Sequence, residues 1–201
     1  DFCLSRGLGD VYKRQVSRGA AEVGVQLHPW VNPPFEEEVN THNSFAGNLP
    51  PELERAKFSR LRDAIEEAFG TPPISYRAGR YGLGPATKSL LYDMGIKVDT
   101  SVRAYFDYSH QDGPNYEDFP NHPYWVAGET PLLELPVTSV YRGLLASAGP
   151  QLFPKLARIP RAPGVASRTG LLERVRLTPE GTPLSDAIKG IDAALAANLP
   201  V

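Results

Sequence analysis

Apolar positions along this chain recur with two different periods, and the switches between them mark out its elements. Val23, Val25 and Leu27 alternate, which predicts a strand over Glu22 to Leu27 that runs into His28-Pro29-Trp30. The Pro- and Asn-rich stretch from Val31 to Pro50, with its acidic run Glu36-Glu37-Glu38, has no period and reads as a long irregular loop. Loops of that length are commonly functional lids or binding loops, or are disordered. From Pro51 to Phe69 the spacing becomes helical: Leu53, Phe58, Leu61, Ala64, Ile65, Ala68 and Phe69 share one face, while Arg55, Arg62, Asp63 and Glu66 lie away from it. Proline in the first turn and Gly70 as the stop fit such a helix.

The pattern then repeats. Ile74-Ser75-Tyr76 predicts a strand leading to Arg77 through Gly82, Pro85 to Met94 a helix closed by Gly95, and Ile96-Lys97-Val98 a third strand ending at Asp99. Strand and helix alternating in this way predict an α/β fold with a parallel sheet and covering helices. Tyr105 to Gly128 reads as a second long loop, Leu132 to Val137 as a buried strand, Gln151 to Arg158 as a helix and 159–170 as a linking loop. A last amphipathic helix is predicted over Leu184 to Asn198, with Ile188, Ile191, Ala194 and Leu195 facing inward.

The two ends are expected to be cut. Asp1 to Gln15 has no initiating Met and neither period, and it resembles translated sequencing-adapter read-through, so residues 1–15 are set aside as non-native. Asn198-Leu199-Pro200-Val201 reads as the start of a strand. The expectation is a fragment of environmental origin, with residues 16–201 forming one truncated domain.

Composition narrows the partners. Of 201 residues, 41% are hydrophobic and 22% charged, the balance of a folded domain, and 18 glycines with 20 prolines predict many ordered loops. A net charge of -2 offers no broad positive field, so neither nucleic acid nor an anionic membrane is an expected partner. The single cysteine allows no internal disulfide, no apolar run approaches the roughly 20 residues that cross a bilayer, and the compartment stays open.

In parallel α/β folds functional side chains collect after the carboxyl ends of strands. His28-Pro29-Trp30, Arg77 to Gly82 and Asp99-Thr100-Ser101 fall there, bringing an imidazole, two guanidiniums, a carboxylate and two large rings. Such a set can hold a metal, polarise a carbonyl or stack on a sugar. Each residue also has a structural reading: His28 as a hydrogen-bonded structural histidine, Arg77 and Arg80 paired with Asp99 or Glu134, Trp30 and Tyr81 as core, Asp99 as a cap on the following turn. His42, His110 and His122 lie at no ligand spacing and read as solvated, and Glu36 to Glu38 as an exposed charged run.

The segments VGVQLHPWVNPP, NSFAGNLPPELERAKFSRLRDAIEEAFGTPPISYRAGRYGLGPATKSLLYDMGIKVDTSV and LLELPVT, in that order, resemble the NodB-homology polysaccharide deacetylases, in a divergent branch with a His-Pro-Trp motif. The resemblance runs from about Ala21 to Val201 and implies a distorted (β/α) barrel, partial in this chain. It further implies hydrolysis of an acetyl group on a carbohydrate by water activated on a divalent metal, zinc or similar. That family holds its metal with Asp and two His and uses a carboxylate base and a late His acid. His28 then becomes the metal ligand and Arg77 the arginine that orients the catalytic carboxylate, joined by Arg80 and Asp99 as catalytic candidates and by Trp30 and Tyr81 as substrate-binding ones. Two departures stand out: Gln26, Trp30 and Asn32 occupy the neighbourhood of the second His, and Gly79-Arg80-Tyr81 replaces a Pro-Tyr pair. The paired-Asp motif and the final His motif have no counterpart in the chain, so the parent is expected to deacetylate an acetamido sugar while the fragment is inactive. The alternative is a non-catalytic sugar-binding barrel that has lost its metal.

Overall fold

The strands predicted near residues 25, 75 and 98 lie side by side. In the computed structural model, which describes residues 6–128, 131–178 and 181–199, β1 (Val25–Leu27) runs parallel to β2 (Ser75–Ala78), and β2 runs parallel to β3 (Val98–Asp99). Val25 faces Tyr76 and Leu27 faces Ala78 across the first pair. With β4 (Tyr124–Val126) and β5 (Leu132–Glu134) the sheet order is β1-β2-β3-β5-β4. The fold is mixed α/β, and among the described residues this sheet is open. Strand β4 falls inside the stretch read from sequence as loop, because Tyr-Trp-Val is too short to show a period.

Side chains alternate as the pleat requires. Val25, Leu27, Tyr76 and Ala78 are buried, whereas Gln26 and Arg77, paired in register, are exposed on the other face. Helix α2 (Pro51–Phe69) has the bounds the sequence predicts. Pro51 occupies the first turn, and Gly70, at φ 76°, takes the left-handed position that a side chain would disfavour and returns its N–H to Glu66 O. Phe58 packs on Tyr76, ring centroids 5.4 Å apart, and Leu61 and Ile65 join the cluster of Val25, Leu27, Tyr76, Leu90, Leu91 and Ile96. Ala64 and Ala68, placed on the core face from sequence, are exposed. The short helix α3 (Thr87–Asp93) contributes Leu90 and Leu91 to the same core.

The opening stretch also differs from expectation. Against the expectation that it has neither period, α1 (Arg6–Ser17) is helical with Val11, Tyr12 and Val16 at helical spacing, Val11 and Tyr12 being about half exposed. Residues 1–5, and with them Cys3, lie outside the described residues, as do Pro200 and Val201 of the expected terminal strand.

The chain divides into two compact units, one of Asp1–Ser101, Gln111–Gly113 and Val126–Leu133, the other of Val102–His110, Pro114–Trp125 and Glu134–Val201. The second contains an antiparallel pair, β6 (Ser139–Arg142) and β7 (Glu173–Arg176), with Ser139 opposite Arg176. Helices α4 (Gly149–Ala157), α5 (Ala162–Arg168) and α6 (Leu184–Ala196) pack around it. Helix α5 occupies the stretch read as a linking loop. In this unit the Phe106 ring lies between the guanidiniums of Arg103 and Arg174, each 3.6 Å from its centroid. Burial holds Tyr141 up to about 12, the dominant effect over the nearby Arg174 charge.

Helix α6 corrects a sequence expectation. Ala194 is buried, as predicted, yet Ile188, Ile191 and Leu195 are 50%, 41% and 59% exposed. The packed side is the small one: Gly190 and Ala194 lie against Val140, Val175 and Leu177. A Cβ on Gly190 would come within 2.6 Å of a Leu177 methyl, so the helix approaches the strands too closely for a large residue there.

Candidate functional site

The carboxyl end of β1 leaves the sheet through an extended His28, followed by a tight turn over Pro29–Val31 that lifts Trp30 to the surface at 38% exposure. Asn32 folds back so that its Oδ1 accepts the His28 N–H at 3.0 Å. The imidazole meets the Trp30 indole edge-on, centroids 4.8 Å apart, and rests on the backbone of Gly79, where a Cβ would lie 2.6 Å from His28 Nδ1. Glycine at 79 is what lets the ends of β1 and β2 close on each other.

After β2, Arg80 and Tyr81 both take positive φ, 55° and 62°. Non-glycine residues in that region are held there by their surroundings, and such strain concentrates at functional sites. The surroundings here are specific. The Arg80 guanidinium donates to Ser44 Oγ and Gln111 Oε1 and lies 4.3 Å from the centroid of Phe45. Next to this turn the backbone crosses the preceding loop: a Cβ on Gly47 would sit 2.0 Å from Gly84 N, and the Gly47 N–H donates to Gly82 O at 2.9 Å.

Trp30 and Arg80 line one cavity of about 330 Å³, together with Glu37, Glu38, Asn40, Asn43 and Ser44. Neither His28 nor Arg77 is among its lining residues. Arg77 projects from the exposed sheet face and donates from Nε to Thr100 Oγ1 at 2.9 Å. Asp99, 2% exposed, accepts from the Ser101 N–H at 3.0 Å and from the Ser101 hydroxyl, and Ser101 Oγ in turn accepts the Ala78 N–H at 2.8 Å. That chain of bonds pins β3 to β2 and matches the turn-capping reading of Asp99. Tyr81 is half-buried in the strained turn.

Residues that sequence reasoning passed over hold the site in shape. Lys57, on the core face of α2 and fully buried, donates to Pro29 O at 3.1 Å, to Asn32 O at 2.8 Å and to Pro34 O, and its Nζ lies 2.9 Å from Glu37 Oε1. Glu37 is therefore not part of an exposed acidic run: its side chain is 5% exposed, while Glu36 and Glu38 face solvent. The available signal was position 57 itself, four residues from both Leu53 and Leu61 and so on the apolar stripe. One turn earlier the buried Glu54 accepts the Thr87 hydroxyl at 2.6 Å, and Thr87 Oγ1 accepts the Gly84 N–H at 2.9 Å. Burial raises the Glu54 pKa, outweighing the lowering by the Thr87 bond.

The donor set does not fit a divalent metal. His28 is flanked by Trp30, Gly79 and Asn32, and among the described residues no three His, Cys, Asp or Glu side chains gather as a metal-binding group. His42 instead lies 3.5 Å from Asp112 at the surface.

No protein-family profile and no curated protein matches this chain. Among solved structures it is similar to a Mycobacterium smegmatis protein described as a polysaccharide deacetylase, at 25% identity over 63% of this chain and 35% of that one, with a TM-score of 0.41. It is similar to a Pseudomonas aeruginosa PAO1 protein described in the same way, at 21% identity over 67% of this chain and 36% of that one, TM-score 0.40. A third likeness is to a 4-alpha-glucanotransferase of Thermococcus litoralis, at 17% identity over 67% of this chain and 19% of that one, TM-score 0.46. The chain thus spans roughly a third of the length of the first two structures.

Proposed function

We propose that this chain supplies the carbohydrate-recognition side of a deacetylase-type hydrolase acting on an acetylated sugar, and that the sugar enters the pocket between Trp30 and Arg80. The observation that carries the proposal is the convergence of these two side chains, one from the end of β1 and one from the end of β2, on a single cavity of about 330 Å³. Ligand pockets begin at about this size, which suits a single sugar residue. An indole offers an apolar face for the C–H side of a sugar ring, and its neighbours supply directional polar groups for hydroxyls. Asn43 and Asn40 are tied down beside it, Asn43 N–H to Asn40 Oδ1 at 2.8 Å and Asn43 Nδ2 to Glu38 O at 3.0 Å, so these groups are ordered before a ligand arrives. The resemblance of the His-Pro-Trp and Arg77 segments to polysaccharide deacetylases supports an acetylated sugar as the ligand class.

Because the donor set around His28 does not fit a metal, no hydrolytic step is assigned to these residues. The same observation favours a second reading, a sugar-binding domain without catalysis. Titration of N-acetylated chitooligosaccharides against tryptophan fluorescence tests the binding: saturable quenching is expected, abolished in Trp30→Ala and weakened about tenfold in Arg80→Gln, the worth of one or two hydrogen bonds to a charged group. An unquenched signal at millimolar sugar would refute it. Acetate release that rises with zinc or cobalt and disappears with chelator would separate the hydrolase from the binding domain.

A further inference from the structure

We infer that Lys57 is a positioning residue for this pocket: its buried ammonium gathers the loop after β1 and thereby sets Trp30 and Glu37 in the pocket wall. Trp30 sits in the chain between Pro29 and Asn32, and the carbonyls of both are bonded to Lys57 Nζ. Pro34 O and Glu37 Oε1 complete a ring of oxygens around the cation, with the Phe35 ring 5.3 Å away. An ammonium has three N–H groups and no acceptor, so this arrangement uses all of them on a segment that has no strand to pair with. The turn at Pro29–Val31 gives Pro29 O a second donor in the Asn32 N–H, and the Asn32 and Pro34 carbonyls beyond it are met by Lys57. The cation substitutes for a sheet ladder. Its stem is fixed because position 57 lies in the middle of α2, next to the fully buried Phe58. Glu37 has two roles at once, lining the cavity and neutralising the buried charge.

The inference rests on the pocket proposed above, and the experiment keeps the two apart. In a Trp125→Phe background Trp30 is the sole tryptophan, and Trp125, 66% exposed, is replaced there by another aromatic residue. Lys57→Met preserves the volume of the stem and removes the cation. It is expected to keep the far-UV spectrum, shift Trp30 emission to the red and weaken chitooligosaccharide binding by at least about tenfold, the consequence of stranding buried carbonyls. Lys57→Ala supplemented with millimolar propylammonium is expected to recover both signals, a rescue that a purely packing role would not give. Unchanged emission and affinity in Lys57→Met overturns the inference. Should Lys57→Met fail to fold, Lys57→Gln decides, since its neutral, shorter amide has neither the three N–H groups nor the reach to hold all three carbonyls: a shifted Trp30 emission in a folded protein upholds the role, an unshifted one rejects it. If the parent chain binds no chitooligosaccharide while Lys57→Met still shifts Trp30, the carbohydrate reading fails and the positioning role stands.

Discussion

Helices α2 and α6 are both amphipathic in sequence, yet they use their faces in opposite ways. Helix α2 puts two ionisable residues, Glu54 and Lys57, among its most buried positions, while α6 leaves Ile188, Ile191 and Leu195 at the surface and buries Gly190 and Ala194. The difference lies in what each helix meets. Near α2 the carbonyls of Pro29, Asn32 and Pro34 and the Thr87 hydroxyl offer hydrogen-bond partners, so polar side chains that reach them can be buried. Beneath α6 are two regular strands that hydrogen-bond to each other, and the gain there comes from close approach, which favours small residues. A hydrophobic stripe therefore locates a helix but does not by itself say which side is packed.

Three substitutions test this contrast. The largest effect is expected at the close approach of α6: Gly190→Leu would drive a side chain into Leu177, Val175 and Val140 and cost about 1–3 kcal/mol in urea denaturation. A neutral outcome would mean that the helix is not seated so tightly. A smaller effect, and one that depends on pH, is expected at Glu54. Burial raises its pKa above the ordinary 4.5, so the folded protein holds the proton more tightly than the unfolded chain. The stability this contributes is complete below 4.5 and declines as pH climbs through the raised value. Glu54→Gln is neutral throughout, so its stability relative to the parent should grow as pH rises above 4.5, and a difference that is flat with pH would contradict the burial argument. The smallest effect is expected at Ile188→Lys, within about 0.5 kcal/mol, because an exposed position has little packing to lose. A cost of several kcal/mol at Ile188 would restore the inward face that the periodicity suggests.

Much of the first unit was legible. The bounds of α2 follow from Pro51, the spacing of Phe58, Leu61 and Ile65, and Gly70, and the three parallel strands follow from short apolar runs that end at polar turns. Strands β6 and β7 were not, because their pairing joins Ser139–Arg142 to Glu173–Arg176 across some thirty residues of chain, and nothing local in Ser-Val-Tyr-Arg or Glu-Arg-Val-Arg announces it. Within the candidate site, Trp30 and Arg80 could be picked out as residues following strand ends, and the structure gives them a shared cavity. Arg77 and Asp99, picked out on the same grounds, are engaged with Thr100 and Ser101. What holds the pocket together was invisible for a physical reason. A lysine on a helix and a glutamate in an acidic run are ordinarily solvated, and only the three-dimensional path of the loop turns three carbonyls toward Nζ.

The contact of Gly47 with Gly84 has its own implication. Each backbone occupies the space where the other's first side-chain carbon would be, and the two segments share a hydrogen bond from Gly47 to Gly82. They are riveted at a point with no slack. A side chain at either glycine would have to part the loop before α2 from the turn after Arg80, so the two segments keep their places only as a pair.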